Sequence, residues 1–339
     1  MKGDIAVKLR HFAKRVTPAS VRRRLNPPRP PWVITGPTPA VPDRLDSFAL
    51  HAIVGTWMEA DVIADTVANA FAQGVDRVFV LDNESPDDTV ARAVSAGAEH
   101  VMTYRTQTFE EQYRYNLMNE FVRHASDTGP HDHIWWLWLD ADEFPRPQSA
   151  GTIREMLQGL DSRYRVVGAR FVNHYPTPGE VAYVEGEHPI DHQPMCEEMP
   201  YGICSAMHRK HPLQRWDRGG PRIDSGLGFH RAECASRPLV EPPDPVVIHH
   251  FPLRDEAATR RRMEALWGGV DQRASRAKQG DLATDHMEAR FRSLDAVYSG
   301  DWDNVYNFLP GAPEKGVRLT DWRELQPSIS TDVRRWTSP

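Results

Sequence analysis

Cysteine is scarce in this sequence. Three residues, Cys196, Cys204 and Cys234, occur in a chain of 339. An odd, sparse set argues against a disulfide framework and for a reducing compartment. No Cys-x-x-Cys pair occurs. Although His192, His208, His211 and His230 are interspersed with the cysteines, their spacing spells no compact zinc finger. There is no run of about 18 apolar residues, so a spanning helix is not expected. The N-terminus lacks a continuous apolar core, which argues against a secretory signal. No internal repeat is present. A net charge of −6 does not suit a general nucleic-acid binder. Hydrophobic residues at 40% and charged residues at 26% are ordinary for a folded soluble protein.

What charge there is lies unevenly. Residues 1–31 hold nine Lys or Arg against one acid, Asp4, a local +8 that leaves −14 on residues 32–339. Ile5, Leu9, Phe12 and Val16 recur at helical spacing, so a basic amphipathic helix is expected within this arm. Such a helix suits either an anionic membrane surface or packing on its own domain. The expected location is therefore the cytoplasm, with residues 1–24 as the candidate peripheral membrane contact. Seven prolines between Asn26 and Asp43 mark an extended linker, placed at 32–44.

From Leu45 the pattern alternates between strand and helix. Phe48–Gly55 reads as a strand, Ile63, Val67, Ala70 and Phe71 as a helix face, and Arg77–Leu81 as a second strand ending at Asp82. Ser85-Pro86-Asp87-Asp88 reads as a helix start, with Ser as N-cap and Pro in the first turn. His100–Tyr104 is a third strand and Phe109–Ala125 a helix. This order implies an α/β fold with a mainly parallel three-layer sheet. Ile153–Leu160 is helical, Tyr164–Val172 and Val246–Ile248 are strand-like, and 254–278 and 285–298 are helical. Residues 174–245 show little periodicity and are read as the acceptor-facing part.

The densest signal is Ile134-Trp-Trp-Leu-Trp-Leu-Asp-Ala-Asp-Glu-Phe144. The apolar run suits a strand buried on both faces. Alternation along it would point Asp140 and Asp142 the same way. Two carboxylates at the C-terminal end of a buried strand make a hard-oxygen site for Mg²⁺ or Mn²⁺, at the edge where open α/β sheets bind ligands. His250 ends another apolar strand and adds an imidazole suited to Mn²⁺, while His249 should face the other way and pack.

Three segments together resemble the glycosyltransferase family 2-like group of GT-A glycosyltransferases. They are Gly55-Thr56-Trp57-Met58-Glu59-Ala60-Asp61, the stretch Gly74–Ser85, and Leu139-Asp140-Ala141-Asp142-Glu143-Phe144. His249-His250-Phe251-Pro252-Leu253-Arg254 resembles a later element of that group. Met58 stands where the group usually has Asn. The resemblance implies a GT-A, Rossmann-like catalytic domain over 45–255, with a donor part at 45–173, an acceptor part at 174–255, and a helical extension over 256–339. It implies a metal-dependent transfer from a nucleoside-diphosphate sugar, with UDP favoured, to an acceptor hydroxyl, read as inverting. Thr56, Glu59, Asp82, Arg114, Asn116, Asp140 and Arg254 would bind the nucleotide sugar, and Asp140, Asp142 and His250 the Mn²⁺ or Mg²⁺. An acceptor-side base is sought in Asp224 and in Glu198 or its neighbour Glu197.

Two other classes use similar residues. A sugar-nucleotide nucleotidyltransferase should carry a Gly-rich basic loop after the first strand, and Gly55–Asp61 lacks one. A non-catalytic nucleotide-binding module would not need both Asp140 and Asp142.

Overall fold

The computed structural model describes residues 47–106, 111–148, 151–179, 183–184, 187–197, 209–230, 232–234, 239–242, 246–267, 282–307 and 313–324. The expected basic arm, the Pro-rich linker, Glu198 and Cys204 lie outside the described residues.

Parallel strands β1 (Ala49–Thr56), β2 (Arg77–Asp82), β3 (Glu99–Thr103) and β4 (His133–Asp140) form one half of an eight-stranded sheet. The other half holds β5 (Glu143–Pro147), β6 (Val166–Asn173), β8 (Arg209–Asp217) and β11 (Val246–His250). The spatial order is β3-β2-β1-β4-β8-β6-β11-β5, and β8 and β5 run antiparallel to the rest. Helices α1 (Ile63–Ala72), α2 (Thr89–Ser95), α3 (Glu111–Thr128) and α4 (Ile153–Gln158) cover the sheet. Two small antiparallel pairs lie apart from it: β7 (Met195–Glu197) with β12 (Leu319–Asp321), and β9 (Asp224–Ser225) with β10 (Ala232–Glu233). A single-turn α5 (Pro189–His192) precedes β7, and α6 (Glu256–Trp267) and α7 (Leu282–Ser299) follow β11.

The tryptophan-rich strand is buried on both faces because it divides two apolar layers. Trp135, Leu137 and Leu139 pack with Ile63, Val67 and Ala70 of α1. Ile134, Trp136 and Trp138 pack with Tyr115 and Met118 of α3. A continuous apolar run is what a central strand between two helical layers requires. Beyond the sheet, Leu294 and Val297 of α7 pack with Tyr175, Leu253 and Met263. The C-terminal extension is thereby joined to the residues that follow β6 and β11.

Three elements differ from the expectation. Helix α2 starts at Thr89, not at Ser85, because the Ser85 hydroxyl donates to Asp82 Oδ1 at 2.6 Å. Strand β5 was not expected, since it contains Pro145 and Pro147; it lies at the sheet edge, where a missing N–H does no harm. Strand β8 arises within the region read as irregular. It contains Pro212, and its pairing with β6 shifts register between Val167 and Ala169, opposite that residue. A bulge there accommodates the absent donor.

Candidate functional site

Five strand ends form one rim. In the parallel register Gly55 lies beside Asp140, Thr56 beside Asp82, and Asn173 beside His250. Strand β8 runs the other way, so its beginning, with Lys210, comes to the same rim. Phe251 N donates to Asp142 O at 2.9 Å, joining the acidic turn to the end of β11. Gly55 permits the close approach of α3: a Cβ there would lie 2.9 Å from Arg114 Cδ.

Strand β4 ends at Asp140, and Ala141 and Asp142 form a turn. Strand alternation therefore stops before the second carboxylate, and the two acids face different partners. Asp140 Oδ1 lies 2.9 Å from Arg114 Nη1, and its Oδ2 accepts from Lys210 Nζ at 3.0 Å. Lys210 also donates to Glu143, which is fully buried. Burial alone would raise the Asp140 carboxyl, but the Lys210 and Arg114 charges outweigh it and hold it at about 2. Burial dominates for Glu143 and pushes it up to about 8 despite Lys210.

Asp142 is 8% exposed and faces His250, also buried; Asp142 Oδ2 lies 3.4 Å from His250 Nε2. Burial would raise the Asp142 carboxyl, yet His250 and Arg254 hold it well below the ordinary range. Burial lowers the His250 ring below its ordinary value, opposed by Asp142. His249 faces away as expected, its Nδ1 2.9 Å from His174 Nε2 and its ring against Trp322.

The other candidate residues are placed as follows. Thr56 is buried at the end of β1, and its Oγ1 has no hydrogen-bond partner among the described residues. Asp82 accepts from Ser85 N at 2.8 Å and from the Ser85 hydroxyl. Asn116 accepts from Gln112 Nε2 at 3.1 Å, one turn along α3. Arg254 is buried and bound to Asp61 through two bonds of 2.7 and 2.9 Å, and also to Glu59. Glu59 receives Arg262 as well. This cluster ties the loop after β1 to the segment after β11. Asp224 is on β9, exposed, 3.3 Å from Arg222; the neighbouring Ser225 bonds to Asn119 of α3. Glu197 is buried and bonded to Asn173 and Tyr175.

Lys210 and Asn173 also belong to this rim and carry no signal in the sequence, whereas Glu143 stands in the acidic run but has no role legible there. Lys210 sits in a stretch without periodicity, and its role depends on which strand it joins.

Among the described residues no group of three or more His, Cys, Asp or Glu converges on one point. Asp140 is engaged closely by two cations, whereas Asp142 Oδ2 has Arg254 Nη1 at 3.9 Å, beyond hydrogen-bond distance, so Asp142 and His250 are the candidate donor pair. Two cis donors of an octahedral ion with bonds of about 2.1 Å lie about 3 Å apart. The observed 3.4 Å is close to that, and an oxygen with an imidazole nitrogen suits Mn²⁺. The pair fits a divalent ion that keeps positions open for other ligands.

Residues 52–211 match the family described as Glycosyl transferase family 2. This domain belongs to that family. The mainly parallel sheet with its ligand-side rim is the GT-A fold, as the resemblance implied. No curated protein sequence matches this chain. Among solved structures, similarity is found to glucosyl-3-phosphoglycerate synthase from Mycobacterium tuberculosis. The complex with Mn²⁺, UDP and glucosyl-3-phosphoglycerate is 16% identical, with a TM-score of 0.25, over 37% of this chain and 44% of that one. The complex with Mg²⁺ and UDP is 15% identical over the same shares, with a TM-score of 0.25. The match thus spans less than half the length of that protein.

Proposed function

We propose that this glycosyltransferase domain moves a sugar from a nucleoside-diphosphate sugar to an acceptor hydroxyl, with a divalent cation held by Asp142 and His250. The observation that supports this most directly is the Asp142 carboxylate facing the His250 ring at 3.4 Å on the strand-end rim. When bound, Mn²⁺ or Mg²⁺ would offset the negative charge that grows on the departing diphosphate. Asp140 acts beside it by orienting Arg114 and Lys210, two fixed cations that face the same developing charge. Thr56 and Asp82, at adjoining strand ends, are the nucleotide-side residues, with Asn116 of α3 as a further candidate. Glu59 and Arg254 support the donor site by holding its two loops together. A UDP-sugar is the first donor to test.

We read the transfer as inverting, with an acceptor-side carboxylate taking the hydroxyl proton. Asp224 and Glu198 are the candidates. Asp142→Asn should leave the fold intact and abolish most transfer, because an amide cannot supply the carboxylate's charge to the ion. Calorimetry should show nucleoside-diphosphate binding that requires Mn²⁺ and is lost in EDTA. Full activity of the variant, or undiminished nucleotide binding in EDTA, would sink the metal reading. Asp224→Asn and Glu198→Gln in parallel should single out the base by loss of transfer with donor binding kept.

We further propose that the basic arm holds the enzyme on an anionic membrane surface. A chain lacking residues 1–24 should no longer sediment with anionic liposomes; equal sedimentation of both chains would reject it. Among the described residues no helix is long and apolar enough to cross a membrane.

A further inference from the structure

Behind His250 lies a chain of buried polar groups that the transfer reaction itself does not use. Tyr175 Oη donates to Glu197 Oε2 at 3.2 Å. Glu197 Oε1 accepts from Asn173 Nδ2. Asn173 Oδ1 then lies 2.7 Å from His250 Nδ1. All four residues are buried, with Tyr175 fully so. The direction of each bond follows from the chemistry of the groups. A carboxylate that accepts from a tyrosine hydroxyl accepts from the amide as well, so the NH₂ of Asn173 must face Glu197. The amide oxygen must then face the ring. An amide oxygen accepts and does not donate, so His250 Nδ1 carries the ring proton.

The consequence appears on the other side of the ring. With Nδ1 committed as donor to Asn173, Nε2 is the ring nitrogen left to face Asp142, whose Oδ2 lies 3.4 Å away. A divalent ion bound between the two would take the place of any proton on Nε2. Register supports the arrangement: Asn173 ends β6 directly beside His250 at the end of β11, and His174 N donates to His250 O at 2.9 Å. The contact between Asn173 and His250 is therefore built on two paired strands.

We propose that Asn173 and Glu197 are positioning residues that hold His250 in its Nδ1–H form, leaving Nε2 free for the divalent cation. This rests on the reading of Asp142 and His250 as the ion's donors. A carboxylate or amide behind a ligating histidine fixes its tautomer, and removing such a partner weakens metal binding by about 10- to 100-fold.

The test uses the full chain and Mn²⁺ alone as probe. Long-range ¹H–¹⁵N spectra of ring-labelled, metal-free wild-type protein at pH 8 should show His250 protonated at Nδ1. Asn173→Leu should lower Mn²⁺ affinity, measured by calorimetry or electron paramagnetic resonance, by about 10- to 100-fold. Glu197→Gln should give a smaller loss and a mixed tautomer, because a glutamine no longer dictates which way the Asn173 amide points. His250→Ala is the reference. If it removes Mn²⁺ binding while Asn173→Leu leaves affinity unchanged, the relay is wrong and the donor pair stands. If His250→Ala itself keeps wild-type affinity, the donor reading fails and this proposal fails with it. An Nε2–H ring in the wild-type spectrum overturns the relay without any variant.

Discussion

At the scale of single residues, Lys210 shows how a site can depend on a side chain that the sequence does not mark. It is 4% exposed, yet it carries a full charge between Asp140 and Glu143. Burial opposes that charge, but the two acids hold the ammonium above its ordinary range. With Glu143 pushed up by burial and Asp140 held low, Lys210 and Asp140 form the charged pair near neutral pH. Removing one partner of a buried pair costs about 3 kcal/mol or more. Lys210→Met is therefore expected to lower stability by about that amount, and Lys210→Met with Asp140→Asn to recover part of it. Urea denaturation at pH 7 measures both, and an unchanged midpoint for the single variant would reject the pairing. Asp140, Asp142 and His250, by contrast, could be named from the sequence, because each ends an apolar run abruptly. Which side chains they pair with could not, since those lie from 26 to 112 residues away in the chain.

At the scale of elements, periodicity served where burial is one-sided or complete, and failed where charges are buried in pairs. Strands β1, β2 and β4 and helix α1 lie close to where apolar spacing puts them. Strand β8 does not advertise itself. Its residues Arg209-Lys-His-Pro-Leu-Gln-Arg-Trp-Asp217 read as polar surface, yet it lies in the middle of the sheet between β4 and β6. Its buried charges are tolerated because each meets a partner. Lys210 has the acidic turn at one end. Asp217 has Arg165 Nε at 3.0 Å, Arg215 Nε at 2.9 Å and His133 Nδ1 at 2.9 Å at the other. A paired charge can sit where an unpaired one cannot, and no rule of spacing reports a pairing made across strands. Helix α2 starts at Thr89 for a related reason: the Ser85 hydroxyl serves the Asp82 carboxylate and not the helix end.

At the scale of the whole molecule, two buried histidines and one half-buried one make the fold sensitive to acid. Burial lowers His51 to about 4, His174 to about 3 and His188 to about 4. In each case the folded chain binds its proton less readily than the unfolded chain. Their contribution is complete above about pH 6.5 and is lost as pH falls toward the folded values. Each pH unit below the free-imidazole value costs about 1.4 kcal/mol for a ring that stays neutral. The melting temperature by calorimetry should fall markedly from pH 7.5 to pH 4.5; a flat profile would contradict the burial of these rings. The sequence by itself determined the α/β class, the family-like order of strands, and the acids and imidazole that end them, because apolar runs and abrupt polar ends are local properties of the chain. The tertiary structure alone decided that Asp140 answers to Lys210 and Arg114 while Asp142 answers to His250, and that Asn173 stands behind that ring. Those facts depend on strand order and register, which bring distant residues to one rim, and local spacing carries no record of either.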